Sequence, residues 1–185
     1  DQADILNSAV DTVTVDGQFV DPSQGVVLTN IENSLKGVSG NSSDVAFHIK
    51  DSVAAVFAEV SSNHNALDGA NSLEVSGGEL NIDGAAIIQD IPGYSDAGSD
   101  YNIRDLASNI LDQTDVALDP AVTNIFVTDP SVEAPIGVQL DKLEEDLGAV
   151  SYAATSDVSF SVNDSARDIA DALIASGASL ENAEE

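Results

Sequence analysis

The chain predicts a repetitive α/β fold, a solenoid-like array of about three repeats of helix, strand, helix and strand. Three observations carry that expectation. A short phrase, aromatic-x-Ile/Val-x-Asp, recurs as Phe47-His48-Ile49-Lys50-Asp51, Tyr101-Asn102-Ile103-Arg104-Asp105 and Phe160-Ser161-Val162-Asn163-Asp164. Each copy runs straight into an apolar segment of helical spacing. A second helical pattern matches across the chain, Leu28, Ile31 and Leu35 aligning with Leu140, Leu143 and Leu147. Sequential strands joined by helices favour parallel pairing and right-handed crossovers. A compact three-layer α/β domain is the other solution of the same pattern.

Taken in order, Asp1-Gln2-Ala3-Asp4-Ile5-Leu6 reads as a first copy of the junction after the recurring Asp. Val13-Thr14-Val15-Asp16 alternates as a half-buried strand does and stops at Gly17. The helix of Leu28, Ile31 and Leu35 follows, then the strand ending at Asp51. In Ser52–Val60, Val53, Val56, Phe57 and Val60 keep the i, i+3, i+4, i+7 spacing of an amphipathic face. The strand Leu73–Ser76 stops at Gly77, and the helix Ala85–Ile91 is cut short by Pro92-Gly93. The strand ending at Asp105, the helix Leu106–Leu111, the strand Ile125–Thr128 and the helix of Leu140, Leu143 and Leu147 complete the next repeat. The strand ending at Asp164 and the helix Ser165–Ile174 close the series. One repeat domain over 1–185 follows, with repeats at about 1–50, 51–104 and 105–163 and a partial repeat at 164–185. With two strand–helix units per turn, like strands would stack on like strands. Phe47, Tyr101 and Phe160 would form one ladder and Asp51, Asp105 and Asp164 another.

Composition narrows the function. There are 33 Asp and Glu against five Lys and Arg, a formal charge of −28, so nucleic-acid partners and anionic membranes are repelled. Such a surface repels itself at low ionic strength, and salt or divalent cations relieve it. Apolar residues make up 43% and aromatics only 4%, so the core is built from small aliphatic side chains. The absence of Cys excludes disulfides, thiolate metal sites and cysteine nucleophiles. Met is absent even at position 1, which reads as a processed or excised segment. No apolar stretch approaches the roughly 20 residues of a membrane span, so no membrane insertion is expected.

Asp51, Asp105 and Asp164 stand where helix N-caps belong, and a ladder of their carboxylates is the calcium-collecting alternative. The loop carboxylates are the better calcium candidates: Asp96 with Asp100, Asp16 with Asp21, and Asp129 with Glu133. Their short spacing, with Gly or Pro nearby, lets several oxygens converge on one cation. His48 and His64 have no third ligand at metal spacing. Neither a nucleophile elbow, a P-loop nor a dinucleotide fingerprint is present, so no catalytic residue is assigned and no enzyme is expected.

Val162-Asn163-Asp164-Ser165-Ala166-Arg167-Asp168-Ile169, followed by Leu173, and the pairing of Tyr101–Asp105 with Asn124-Ile125-Phe126-Val127-Thr128-Asp129, resemble the degenerate repeats of very large secreted bacterial surface proteins. Those surface-layer and adhesin-like proteins carry a similar hydrophobic-x-Asp-Ser/Thr-Ala-x-x-Ile junction, and many leave the cell by type I secretion and bind calcium. The resemblance implies an extracellular or cell-surface location. The glycine-rich calcium nonapeptide of such proteins is absent, since Gly77–Asp83 lacks the third glycine.

The expected function is therefore a non-enzymatic structural protein of an extracellular assembly, a surface layer, filament or stalk. Both chain ends fall near the same first-type helix, as head-to-tail self-association requires, and a heterologous contact that does not close builds a filament. The alternative is a calcium-dependent adhesin, a module binding a glycan or another surface protein.

Overall fold

The computed structural model describes residues 12–15, 19–37 and 44–177. Among them the chain is an α/β protein of parallel sheets. β1 (Thr12–Thr14) pairs with β2 (Asp44–Ala46), and β3 (His48–Ser52), β4 (Ser72–Leu80), β5 (Asp100–Asp105), β6 (Val122–Val127) and β7 (Asp157–Ser159) form a five-stranded sheet in chain order. Except between β2 and β3, helices separate the strands: α1 (Pro22–Gly37), α2 (Val53–Val60), α3 (Ile82–Gln89), α4 (Ala107–Asp112) with the single turn α5 (Thr114–Ala117), and α6 (Ala134–Val150), with α7 (Ala166–Ser176) after β7. The predicted junction at Asp1–Leu6 lies outside the described residues.

The strand order corrects the expected ladders. Like strands do not stack, because β4 stands between β3 and β5 and β6 between β5 and β7. The structural period is one strand and one helix: Lys50 faces Glu74, 24 residues on, and Ile103 faces Ile125. The recurring phrase marks every second unit.

The chain divides into two compact units, Asp1–Ser76 with Ile87–Ser95 and Gly77–Ala86 with Asp96–Glu185. One of the three points of division falls inside β4, just before Gly77 and Gly78, whose φ values of 60° and 87° are left-handed and suit glycine.

In the first unit α1 caps itself. The Asp21 carboxylate accepts Gln24 N–H at 2.9 Å and the Ser23 hydroxyl at 2.7 Å, while Gln24 Oε1 accepts Asp21 N–H, a reciprocal capping box with Pro22 opening the helix. Its buried stripe is Pro22, Gly25, Thr29, Glu32 and Leu35. Only Leu35 of the expected Leu28, Ile31 and Leu35 face is fully buried; Leu28 and Ile31 are half-buried. The cause is close approach: a Cβ on Gly25 would lie 2.7 Å from Ile49 Cδ1 and 3.1 Å from Leu67. Small residues turn toward β3 and the larger ones rotate aside. Buried Glu32 is neutralised by Lys36 one turn on. α2 fits its expected amphipathic pattern, with Val53, Val56 and Val60 buried and Ser52 accepting Ala55 N–H as N-cap.

In the second unit the same bond recurs between successive strand–helix units. Asp105, ending β5, accepts Ile82 N–H of α3 at 3.0 Å; Asp129, after β6, accepts Ala107 N–H of α4 at 2.7 Å; Asp164, after β7, accepts Ala134 N–H of α6 at 3.1 Å. Each carboxylate therefore caps the helix of the preceding unit, 22 to 30 residues upstream. The expected capping by Asp51, Asp105 and Asp164 of the helices that follow them is corrected accordingly. The N-cap positions are Ser52, Leu106 and Ser165, one residue later. All three aspartates do accept the N–H of that next residue, at 2.7 to 2.8 Å. Helices α4 and α6 pack together, as do α6 and α7, and Leu140, Leu143 and Leu147 of α6 are buried as expected.

Candidate functional site

The strands bury one set of alternating side chains and present the other. Ile49, Leu73 and Val75 in the first unit, and Tyr101, Ile103, Ile125 and Val158 in the second, are fully buried or nearly so. The intervening side chains are exposed or half-buried and, Phe126 apart, polar: His48, Lys50, Ser72 and Glu74, then Asn102, Arg104, Asn124, Phe126 and Ser159. Parallel sheets ordinarily bury both faces. An accessible polar face is thus the first place to look for function.

That face is internally bonded in both units. Lys50 pairs with Glu74 at 2.6 Å and lies 5.9 Å from the centre of the Phe19 ring. Arg104 holds Glu79 by two bonds, at 2.6 and 3.1 Å, and lies 4.6 Å above the Phe126 ring. The Arg104 hydrogen bond holds the Glu79 carboxyl below its ordinary value, and the same bond raises the guanidinium. Both basic residues occupy the fourth position of the recurring phrase, and each has a glutamate and an aromatic as its neighbours. The arrangement neutralises charge and fixes side chains. Asn102 Oδ1 accepts both the N–H and the Nδ2–H of Asn124, and the Ser159 hydroxyl donates to Asp157. A pocket of about 270 Å³ at the ends of β5, β6 and β7 is lined by Arg104, Phe126, Asp129, Ser159 and Ser161. His48 Nδ1 and Ser72 Oγ are 2.7 Å apart across β3 and β4. Nucleophilic catalysis also needs a group orienting the base and donors for an oxyanion, which this bond does not itself supply.

The sequence-derived calcium residues have other engagements. Asp21 caps α1, and the bonds from the Ser23 hydroxyl and Gln24 N–H outweigh burial and hold its carboxyl below the ordinary value. Its expected companion Asp16 lies outside the described residues. Asp100 Oδ1 accepts Gly77 N–H at 2.6 Å, while Asp96 opens a 3-10 turn, Asp96–Gly98, and accepts Ser99 N–H through its backbone. Asp129 caps α4, whereas Glu133 is the exposed N-cap of α6 and makes no capping bond with its side chain. Among the described residues no group of three or more His, Asp or Glu is arranged to hold a metal ion. No described helix is long and apolar enough to cross a membrane.

A second cavity, of about 400 Å³, opens at the start of β5 and β6, where Ser99, Asp100, Pro120, Ala121, Thr123 and Tyr152 meet. Sequence reasoning flagged Asp100 there, for a different chemistry, and missed Tyr152. Tyr152 lies in the loop after α6, outside any motif, and only its 62% exposure marks it. Comparison with family models, curated proteins and solved structures found no match to this chain.

Proposed function

We propose that the chain is a non-catalytic structural module of an extracellular assembly, built by serial addition of strand–helix units that continue as a β/α solenoid. The observation that carries this reading is the bond repeated at Asp105, Asp129 and Asp164. Each of these three strand–helix units completes the helix before it, the kind of nearest-neighbour contact by which an array propagates.

Two surfaces support association with a second copy. β7 ends the sheet order among the described residues, and a strand edge is a template for further pairing. α7 buries none of its described residues, and Ile174 is 80% exposed on a helix that also carries Ile169 and Leu173. The formal −28 opposes such contacts at low ionic strength, and calcium is the proposed counter-ion. Head-to-tail addition that does not close would give filaments or sheets at the cell surface.

The test is the mass and shape of the purified chain by light scattering and negative-stain microscopy, with calcium and then with chelator, at fixed ionic strength. Filaments or sheets that dissolve in chelator are expected. A monodisperse monomer under both conditions overturns self-assembly.

A further inference from the structure

We propose that the cavity at the start of β5 and β6 binds a neutral sugar ring, one or two hexose units of a glycan, with Tyr152 as the stacking platform. At about 400 Å³ it falls in the size range of small-ligand sites. Tyr152 is exposed yet held. Its N–H donates to Pro120 O at 2.9 Å, the Ser151 hydroxyl donates to Val122 O at 2.7 Å, and Ala153 N–H donates to Ser151 Oγ at 3.2 Å. An aromatic on a tethered backbone loses little freedom on binding.

The polar groups across the cavity suit hydroxyl donors. Asp100 is oriented by its bond from Gly77 N–H, and a carboxylate with about four acceptor sites retains capacity for sugar hydroxyls. Thr123 adds a hydroxyl that both donates and accepts, and Pro120 and Ala121 add apolar wall. No basic side chain lines the cavity, and the chain as a whole is strongly acidic, so phosphate, sulfate and carboxylate ligands are repelled. A pyranose offers the matching pair of surfaces, an apolar C–H face for the phenol ring and hydroxyls for Asp100 and Thr123. This site is independent of self-assembly, which scattering tests separately.

The experiment is an amide NMR titration of the whole chain with cellobiose, maltose, lactose and chitobiose, in the presence of chelator. We expect at least one sugar to shift the amides of Gly98, Ser99, Thr123 and Ala153, with a Kd on the order of 1 mM for one shallow site. Tyr152→Ala should weaken binding about tenfold or more, Tyr152→Phe should preserve it, and Thr123→Val should weaken it by a smaller factor. Tyr152 is exposed, so the rest of the spectrum of Tyr152→Ala reports an intact fold. No response to any of the four sugars at tens of millimolar, or shifts unchanged in Tyr152→Ala, overturns the proposal.

Discussion

The two units hold successive strand–helix segments together by different means. In the first, backbones and side chains approach at glycine: a Cβ on Gly25 would strike Ile49, one on Gly69 would strike Glu32 and Thr29, and one on Gly93 would lie 2.5 Å from Ala70 O. Its helices are capped locally, by Asp21 and Ser52. In the second, Gly77 and Gly177 have open space around them and Gly148 meets Ser156 only at 3.7 Å. There the segments are tied through the three distant aspartate caps. Steric closeness is indifferent to pH and tolerates no added atom, whereas the caps at Asp105 and Asp164 tolerate neighbouring change and weaken in acid. One chain thus carries two kinds of vulnerability.

The sharpest way to break the first kind is Gly93→Ala. The obstructing atom is backbone, which cannot swing away as a side-chain end can, and Gly93 O also accepts Leu73 N–H at 2.7 Å. Loss of about 2–3 kcal/mol is expected, confined to the first unit and equal at pH 4 and pH 7. Hydrogen exchange resolved by residue checks it. An undisturbed first unit would show that the close approach is slack.

Next in size is removal of a long-range cap. Asp129→Ala should cost the second unit about 1–2 kcal/mol and speed exchange of the Ala107 N–H, while Asp129→Asn, which keeps an acceptor oxygen, should recover most of it. A substitution that affects only residues next to position 129 would show that the bond to α4 adds nothing to the fold.

These caps also show where sequence reading stops. Element order was legible because apolar spacing differs between strand and helix: Val53, Val56 and Val60, and Leu140, Leu143 and Leu147, are buried as their periods require. Which strands are neighbours was not legible. The conspicuous aromatic marks β3 and β5 but not β4 and β6, and backbone pairing, which carries no residue signature, sets neighbours all the same. Likewise an Asp before a helix announces a cap without saying which helix it caps. That Asp105 serves α3 rather than α4 depends on a turn lying beside it in space. The accessible sheet face was hidden too, because Phe126 alternates as a core residue would. Tyr152 was hidden because an isolated loop tyrosine has no pattern.

Acid tests the long-range caps of the second unit without mutation. Burial acts to raise Asp105, but bonds from Ile82 N–H, Asn109 and Leu106 N–H outweigh it; at Asp164 the bonds from Ala134 and Ser165 N–H dominate. Both carboxyls lie below their ordinary 3.8, so in that interval the unfolded chain binds protons that the native chain does not. The stability they contribute is full above about 3.8 and is lost as pH falls through their native values. Protection at Ile82 and Ala134, taken relative to the intrinsic exchange rate at each pH, should therefore fall on acidification before protection at Ala85, which lies beyond the capped first N–H. Simultaneous loss of protection at all three would indicate global unfolding instead.

The smallest expected effect runs the other way. Glu144, on α6, has a buried Oε2 without a hydrogen-bond partner. Burial raises its carboxyl above the ordinary 4.5, with the Asp157 and Asp141 charges adding to the shift and the Val158 N–H opposing it. A raised acid keeps its proton in the native state where the unfolded chain has released it. Its contribution is full below about 4.5 and declines as pH rises through the native value. Glu144→Gln imitates the protonated form and keeps an acceptor for Val158. It should stabilise the second unit at pH 7 by a few tenths of a kcal/mol, because water still screens a partly exposed group, and leave it unchanged at pH 3. Denaturant midpoints at the two pH values check this. Destabilisation at pH 7 would mean that the charge of Glu144 supports the fold there, against its burial and the neighbouring Asp157 and Asp141 charges.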